Sequence, residues 1–344
     1  MIVKNEEEVL ERCLKSVKDI VEQIIIVDTG STDNTKAVAL KYTNKVYDFN
    51  WCNDFSKARN YAFSLATSDY IMWLDADDVV PVKTAKLIKK LKLNLSSDVY
   101  MFKYDIAFSG KKTTFSYYRE RIIKNCNAAI WKGVVHECIA PFGKVERINY
   151  SIVHKKNKTH NSNRNLKIYE ETKKKRPLTP REQYYFGREL FDHKKYKKCL
   201  TVLNQFVNSN LGWQENVIDA LYLISICYKN INNKQSSLLS LFKTFMWDSP
   251  RANVCCEIGD HFLEYKQYEV AIYWYNQATK CKDASHKGGF VQPLYYNYYP
   301  YLQLCVCHYK LGEINIAKKY NEKAGKYLNS EIVKNNKKFF ENLK

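Results

Sequence analysis

Asp75, Asp77 and Asp78 sit within four positions of one another, directly after the apolar run Tyr70-Ile71-Met72-Trp73-Leu74. Carboxylates packed this closely repel one another and are relieved by a cation, either a divalent metal or a metal carrying a phosphate. The competing reading is an acidic, solvated turn after an ordinary strand. Other residues with chemical capacity are scattered upstream and downstream. Asp28 closes the apolar run Ile24–Val27. Arg59 stands near the start of a helical stretch, where a guanidinium suits a diphosphate or forms a surface ion pair. His136 and Glu137 are adjacent, just past Trp131-Lys132-Gly133. They offer a base beside a metal ligand, or one polar side of a strand. His154 follows the short apolar pair Ile152-Val153.

The elements that must position these groups alternate between strand and helix. Residues 2–3 read as the end of a strand. Leu10, Cys13, Leu14, Val17 and Val21 recur at helical spacing, which predicts a helix from Glu6 to Val21. The β-branched run Ile24–Val27 predicts a buried strand of a parallel sheet. A polar turn follows, then a helix through Ala37 and Leu40. Val46–Phe49 reads as a third strand. Asp54 is placed to cap a helix whose buried stripe would be Phe55, Ala58, Ala62 and Leu65, with Arg59 off that stripe. The strand at Tyr70–Leu74 precedes a helix from Pro81 to Leu93, with Pro81 at its first position. Val99–Phe102 is a further strand. Strands that end in polar residues beside helix starts form the ligand-binding edge of an open α/β sheet. The absence of Gly-x-Gly-x-x-Gly and of a Walker lysine disfavours dinucleotides and P-loop chemistry.

The chain has 344 residues, enough for two domains, and 45% of them are apolar. Glycine is scarce (11 residues), which favours helix-rich architecture over a loop-rich all-β fold. No apolar stretch is long enough for a transmembrane helix, and the first residues lack a signal-peptide pattern. The 11 cysteines include no Cys-x-x-Cys pair, so free thiols in a reducing cytoplasm are expected. The net charge of +19 admits an anionic membrane surface or a phosphorylated substrate. The lysines are spread along the whole chain and no RNA-binding motif appears, so nucleic acid is not expected as a partner.

The composition changes after His154. Residues 156–180 read as a basic linker, partly helical between Asn163 and Thr172, with Pro177 and Pro180 at its end. The remainder, 181–344, repeats. Gly187 is followed nine residues on by Tyr196, and Gly259 by Tyr268. Ser225 with Lys234 and Cys305 with Ile314 are weaker copies at the same offset. The starts are separated by 38, 34 and 46 residues, with the insertion from Asp283 to Pro293 in the longest gap. The base period is near that of tetratricopeptide repeats, about 34 residues, in which helix pairs bury their apolar faces on neighbouring pairs.

Four segments occur in order: Met1-Ile-Val-Lys-Asn-Glu-Glu, Val27-Asp-Thr-Gly-Ser-Thr-Asp-Asn-Thr, Asp54-Phe-Ser-Lys-Ala-Arg-Asn and Trp73-Leu-Asp-Ala-Asp-Asp. With Arg121, the Trp131–Glu137 segment and His154, the region 1–155 resembles the family 2 glycosyltransferases of GT-A-type fold. That family normally carries several apolar strand residues ahead of the first motif, so a nearly absent first strand is expected. The resemblance implies a GT-A-type domain with a mostly parallel central sheet, followed by an all-α tetratricopeptide-like domain. It implies transfer of a sugar from a nucleotide-diphosphate sugar, UDP-linked, by an inverting route with Mn²⁺ or Mg²⁺. In that scheme Lys4 and Asn5 line the nucleotide, and Asp28 and Asp75 contact its nucleoside part. Asp54 and Arg59 belong to the donor site. Asp77 holds the metal, and His154 or, in competition, His136 completes its ligands. Glu137 sits where the general base belongs, and Asp78 is left without a role beyond capping the turn toward Pro81. The trailing repeats are similar to those of enzymes that glycosylate peptides, including the bacteriocin S-glycosyltransferases. A peptide or protein acceptor is therefore expected, with a lipid-linked or cell-envelope saccharide as the alternative. A degenerate domain serving an interaction protein is the alternative of another class. Peripheral contact with an anionic membrane and homo-oligomerisation stay open.

Overall fold

The computed structural model describes residues 1–109, 112–155, 163–284, 287–289 and 291–343. The chain divides into two units, Met1–Leu178 and Thr179–Lys344. In the first, β1 (Ile2–Val3), α1 (Leu10–Val17), β2 (Ile26–Asp28), α2 (Thr35–Leu40) and β3 (Val46–Asp48) come first. β1, β2 and β3 form a parallel three-stranded sheet in which Val3 lies opposite Asp28 and Asp28 opposite Asp48. All three residues of β2 are buried, as a strand covered on both faces requires. α1 buries Leu10, Cys13, Leu14 and Val17, the helical-period positions of the sequence. Because β1 and β2 run the same way, their carboxyl ends deliver Lys4, Asn5 and Asp28 to one edge.

Next come α3 (Phe55–Ser64), β4 (Tyr70–Met72), β5 (Asp78–Val79), α4 (Val82–Leu91), β6 (Val99–Ser109) and β7 (Lys112–Lys124). The unit closes with β8 (Trp131–Lys132), β9 (Cys138–Ile139), β10 (Val145–His154) and α5 (Arg164–Lys175). A five-stranded sheet has the order β4-β7-β6-β10-β5, and β8 and β9 pair separately. Here the mostly parallel expectation meets a mixed sheet. β6 and β10 are parallel, whereas β4–β7, β6–β7 and β5–β10 are antiparallel. β6 and β7 are consecutive in the chain and pair from Ser109 opposite Lys112, a proximity that only antiparallel pairing permits. Cys13, Val17, Leu74, Ile88, Tyr100, Phe102, Ile122 and Ile152 form the core under α1 and α4. Each such fully buried aliphatic or aromatic side chain contributes about 1.5–3 kcal/mol relative to exposure.

Several local expectations shift: α1 is Leu10–Val17 where a helix from Glu6 to Val21 is expected, and β2 starts at Ile26 in place of Ile24. Pro81 is the residue before α4, not its first helical residue, with an extended ψ of 150°. The stretch expected as a partly helical linker has its helix near the expected place, α5, but that helix buries Leu166, Ile168, Tyr169 and Thr172 within the first unit. Residues 156–162 of that stretch, and 285, 286 and 290 of the Asp283–Pro293 insertion, lie outside the described residues.

The second unit is built of helix pairs: α6 (Pro180–Asp192) with α7 (Tyr196–Asn208), α8 (Gln214–Asn230) with α9 (Lys234–Lys243), α10 (Ala252–Glu264) with α11 (Tyr268–Lys280), and α12 (Tyr298–Lys310) with α13 (Ile314–Tyr327). A final helix, α14, spans Glu331–Asn342. The sequence alignment lands on equivalent structural positions. Tyr196, Lys234, Tyr268 and Ile314 each open the second helix of a pair. Gly187 and Gly259 mark the helix crossing, where a Cβ would come within 2.1 Å of Leu203 Cδ2 and 2.6 Å of Tyr275 Cε1 respectively. Two residues before each second helix the backbone is left-handed, with φ of 56° at Lys194, 59° at Asn232, 59° at Lys266 and 81° at Gly312. Among the described residues no helix is long and apolar enough to cross a membrane. All 11 cysteines are free, the Sγ atoms of Cys255 and Cys281 being 4.0 Å apart.

Candidate active site

The carboxyl edge of β1 and β2 forms one rim. Asp28 is buried, and its Oδ1 accepts from the amides of Gly30 at 2.8 Å and Ser31 at 2.7 Å. Gly30 has φ of +99°, a conformation glycine adopts without strain. The first loop is tied to this turn: the Asn5 amide donates to Ser31 Oγ at 2.9 Å, and Asn5 Oδ1 accepts from the Thr32 amide at 2.8 Å. Asn5 itself has φ of +54°. Lys4, one position earlier, is exposed.

The three clustered carboxylates are sent to three different partners. Asp75 accepts from Arg59 Nη2 at 2.7 Å. Burial alone would raise its pKa, but Arg59 and then Arg121 outweigh that and hold it at about 2. Asp78 is fully buried. Its Oδ2 accepts from Arg121 Nη1 at 2.9 Å and from the Asp75 amide at 3.0 Å, and its Oδ1 accepts from the Tyr104 hydroxyl at 2.7 Å. Asp77 faces His154, with Oδ1 3.2 Å from Nδ1. The sheet register explains this last pairing. β5 runs antiparallel to β10 with His154 directly opposite Asp78, so the imidazole arrives where the acidic turn ends. The hydrogen bonds to Asp77 and Asp78 raise the His154 pKa to about 9, against the opposing effect of burial.

Arg121 is 0% exposed and its Nε and Nη2 have no hydrogen-bond acceptor among the described residues. Its guanidinium lies 4.0 Å from the Trp73 ring centre and 4.2 Å from that of Tyr104. Aromatic faces compensate part of the lost hydration of a buried cation. Asp78 is therefore the counter-ion of a buried arginine, a role the sequence left unassigned.

Arg59 departs from its expected place off the buried stripe of α3. It is 9% exposed, with Nε donating to Glu137 Oε1 at 2.6 Å while Nη2 holds Asp75. The rings of Trp131 and Trp73 lie 4.7 Å and 5.1 Å from its guanidinium carbon. Both carboxylates and both rings make a charged residue fit the interior. The same helix grips the Trp131–Glu137 loop at two further points. The Phe55 amide donates to the Val134 carbonyl at 2.9 Å. Asn60 exchanges hydrogen bonds with the Trp131 backbone at 2.9 and 3.0 Å. Asp54 caps α3, its Oδ1 accepting from the Lys57 amide at 3.0 Å and the Ser56 hydroxyl at 2.7 Å. From the other side, Tyr169 of α5 donates to the Val135 carbonyl at 3.1 Å. His136 is exposed, with φ of +52°, between this clamped loop and Glu137.

The structure thus brings together Arg59, Asp75 and Glu137 in one group, Asp77 and His154 in a second, and Asn5 and Asp28 in a third. Asn60, Tyr104, Arg121 in its ion pair and Tyr169 are the positioning residues that sequence reasoning missed. Among the described residues, Asp77, Asp78 and His154 are the group whose donor atoms lie within 4.8 Å of one another. Asp78 is sealed off by Arg121 and Tyr104. The Asp77 and His154 side chains keep 16% and 22% of their surface exposed. A carboxylate oxygen beside an imidazole nitrogen fits Mn²⁺, whereas Mg²⁺ would use the carboxylate alone.

Parallel strands with polar ends, an Asp-x-Asp turn and a clamped His-Glu loop define an α/β domain with its charged groups gathered at the carboxyl edge of the sheet. Residues 1–147 match the model of glycosyl transferase family 2, and the N-terminal region is a domain of that family. The chain is 30% identical over 259 residues to the SPbeta prophage-derived glycosyltransferase SunS of Bacillus subtilis, covering 68% of this chain and 58% of that protein. It is 51% identical over 78 residues to a TPR repeat-containing protein of Synechococcus elongatus, covering 23% of this chain and 19% of that one. Among solved structures, that of MamA aligns with 46% of this chain and 84% of its own at 18% identity and a TM-score of 0.38. The chain spans less than two thirds of the length of both curated relatives.

Proposed function

We propose that this protein transfers a sugar from a UDP-linked donor to a peptide or protein acceptor, with inversion and with a divalent metal. The observation that carries the reading is the division of labour among three neighbouring carboxylates. Asp75 and Asp78 are committed to Arg59 and Arg121, and Asp77 is left beside an imidazole at the sheet edge. Asp77 with His154 would hold Mn²⁺, or Asp77 alone Mg²⁺, which as a Lewis acid offsets the charge developing on the departing diphosphate. Asp28 and the second carboxylate oxygen of Asp75, whose Oδ1 is held by Arg59, take the nucleoside, with Lys4, Asn5 and Asp54 lining the donor site. Arg59 fixes Glu137 through Oε1, and Glu137 takes the acceptor's proton as the acceptor atom bonds to the anomeric carbon. The bond from that carbon to the diphosphate oxygen breaks on the opposite face. His136, one residue earlier, is the competing base. The helix pairs of the second unit support a peptide or protein acceptor, since such arrays present extended binding surfaces.

A thermal-shift panel of UDP-, GDP- and dTDP-sugars with Mn²⁺ identifies the donor class, and UDP-sugars are expected to stabilise the protein most. Asp77→Ala is expected to abolish sugar transfer and nucleotide-sugar hydrolysis with an unchanged circular dichroism spectrum. Full activity in that variant refutes the metal assignment.

A further inference from the structure

The outward face of α4 has a composition that the reaction does not account for. From Pro81 to Ser97 the chain carries five lysines and no Asp or Glu. At about 100° per residue, Val82, Lys86 and Lys89 fall on one stripe of α4, flanked by Lys83 and Lys90, and Leu93 follows in the 3-10 turn Lys92–Asn94. The opposite face packs Thr84 and Ile88 into the core, with Ala85, Leu91 and Leu95 against it. Lys83, Lys86, Lys89 and Lys90 are exposed. Lys92 is engaged with Glu22 and the Ile20 carbonyl. Val82 is 72% exposed at the start of the stripe and Leu93 88% exposed just beyond its end. Lysines in the last turn suit the helix dipole, but Lys83 in the first turn opposes it and Lys86 at mid-helix gains nothing from it, so helix stability does not explain the set.

We propose that this face docks on an anionic lipid surface. Four ammonium groups on one short helix complement lipid phosphates, and the stems of Lys86 and Lys89 cover the apolar strip between Val82 and Leu93. The two exposed aliphatic side chains decide between partners. A bilayer interface takes them up, as it does the apolar side of a basic amphipathic helix. A nucleic-acid backbone gains nothing from them. The docking is independent of the glycosyl-transfer reading.

The test is sedimentation of the full chain with phosphatidylcholine vesicles, with and without phosphatidylglycerol. Wild type is expected to sediment only with the anionic vesicles, and less so at high salt. K83E/K86E/K89E/K90E is expected to lose at least about a thousandfold in partition coefficient, since each lysine near the surface is worth about 1 kcal/mol and about 1.4 kcal/mol is tenfold. The net charge alone could draw the chain to anionic vesicles. The control K310E/K334E/K337E/K338E therefore changes the same charge at exposed lysines of the second unit, and it is expected to lose about threefold at most. V82S/L93S keeps the charge and is expected to lose about tenfold. Melting curves matching wild type show that the surface variants remain folded. Equal losses in the two charge-reversed variants overturn the proposal. So does wild-type vesicle binding by V82S/L93S, and single-stranded RNA binding that depends on the four lysines would then name the other partner.

Discussion

Asp77→Asn and Asp78→Asn remove the same charge one residue apart, yet the two side chains stand in different surroundings. Asp78 and Arg121 are both fully buried, 2.9 Å apart, and two of the arginine's nitrogens already lack an acceptor. Removing one partner of such a pair leaves an uncompensated buried charge, at a cost of about 3–5 kcal/mol. Asparagine keeps an acceptor for the Tyr104 hydroxyl, so the lower end of that range is expected. For a unit of this size that corresponds to a fall in melting temperature of roughly 10 °C. Asp77 is partly exposed and faces only His154 among the ion pairs found. Its replacement also relieves repulsion from two neighbouring carboxylates, and the change is expected to stay within about 1 kcal/mol. Melting is followed by circular dichroism in chelator, so that no bound metal contributes. Mn²⁺ binding is then measured by calorimetry. Asp78→Asn should melt early, whereas Asp77→Asn should melt normally and fail to bind metal. An Asp78→Asn protein melting within about 2 °C of wild type, with the site occupied normally, would refute the counter-ion argument.

Three further outcomes follow from the geometry. The Asp75 pKa, held at about 2, lies below its unfolded value, so its stabilisation is complete above about pH 5 and is lost as the pH falls toward 2. In metal-free urea unfolding, the destabilisation caused by Asp75→Asn should accordingly shrink across that window; a constant difference contradicts the Arg59 pairing. Gly259→Ala drives a Cβ into the buried Tyr275 ring, whose hydroxyl is held by Asp260 at 2.6 Å. It should cost about 1–3 kcal/mol, and more than Gly187→Ala, where the obstacle is the end of a leucine side chain. Lys266→Gly relieves a left-handed residue and is expected to stabilise the second unit by about 0.5–1 kcal/mol in thermal unfolding, while Gly312→Ala should lose a similar amount.

What the sequence displayed and what it hid have separate physical causes. The spacing of Leu10, Cys13, Leu14 and Val17 exposes α1, because burial and periodicity there are the same fact. The Gly187 and Gly259 positions were readable because only a side chain without a Cβ fits a helix crossing that close. Arg59 was hidden because a charged residue reads as surface unless its counter-ions are known, and those lie 16 and 78 positions away. Asp77 and Asp78 are chemically identical, and only the return of β10 against β5 decides which is buried. Tyr104 was one among 27 tyrosines, and nothing in its neighbours marks the hydrogen bond to Asp78. The helix α5 was legible, but the lysines on its outer face hid that Leu166, Ile168 and Tyr169 supply a buried side that fastens the Val135 loop.

The left-handed residue two positions before each second helix has a consequence for how the array can change length. Within every pair the offset from the crossing residue to the second helix is nine, whereas the spacing between pairs varies from 34 to 46. A residue added inside a pair would rotate one helix by about 100° against its mate and turn its buried face outward. A residue added between pairs only lengthens a loop, and each doubling of a loop costs about 0.6 kcal/mol. Insertions, deletions and grafted segments should therefore be accepted at the connectors between pairs and rejected at the tight turns, so that the array changes in whole pairs.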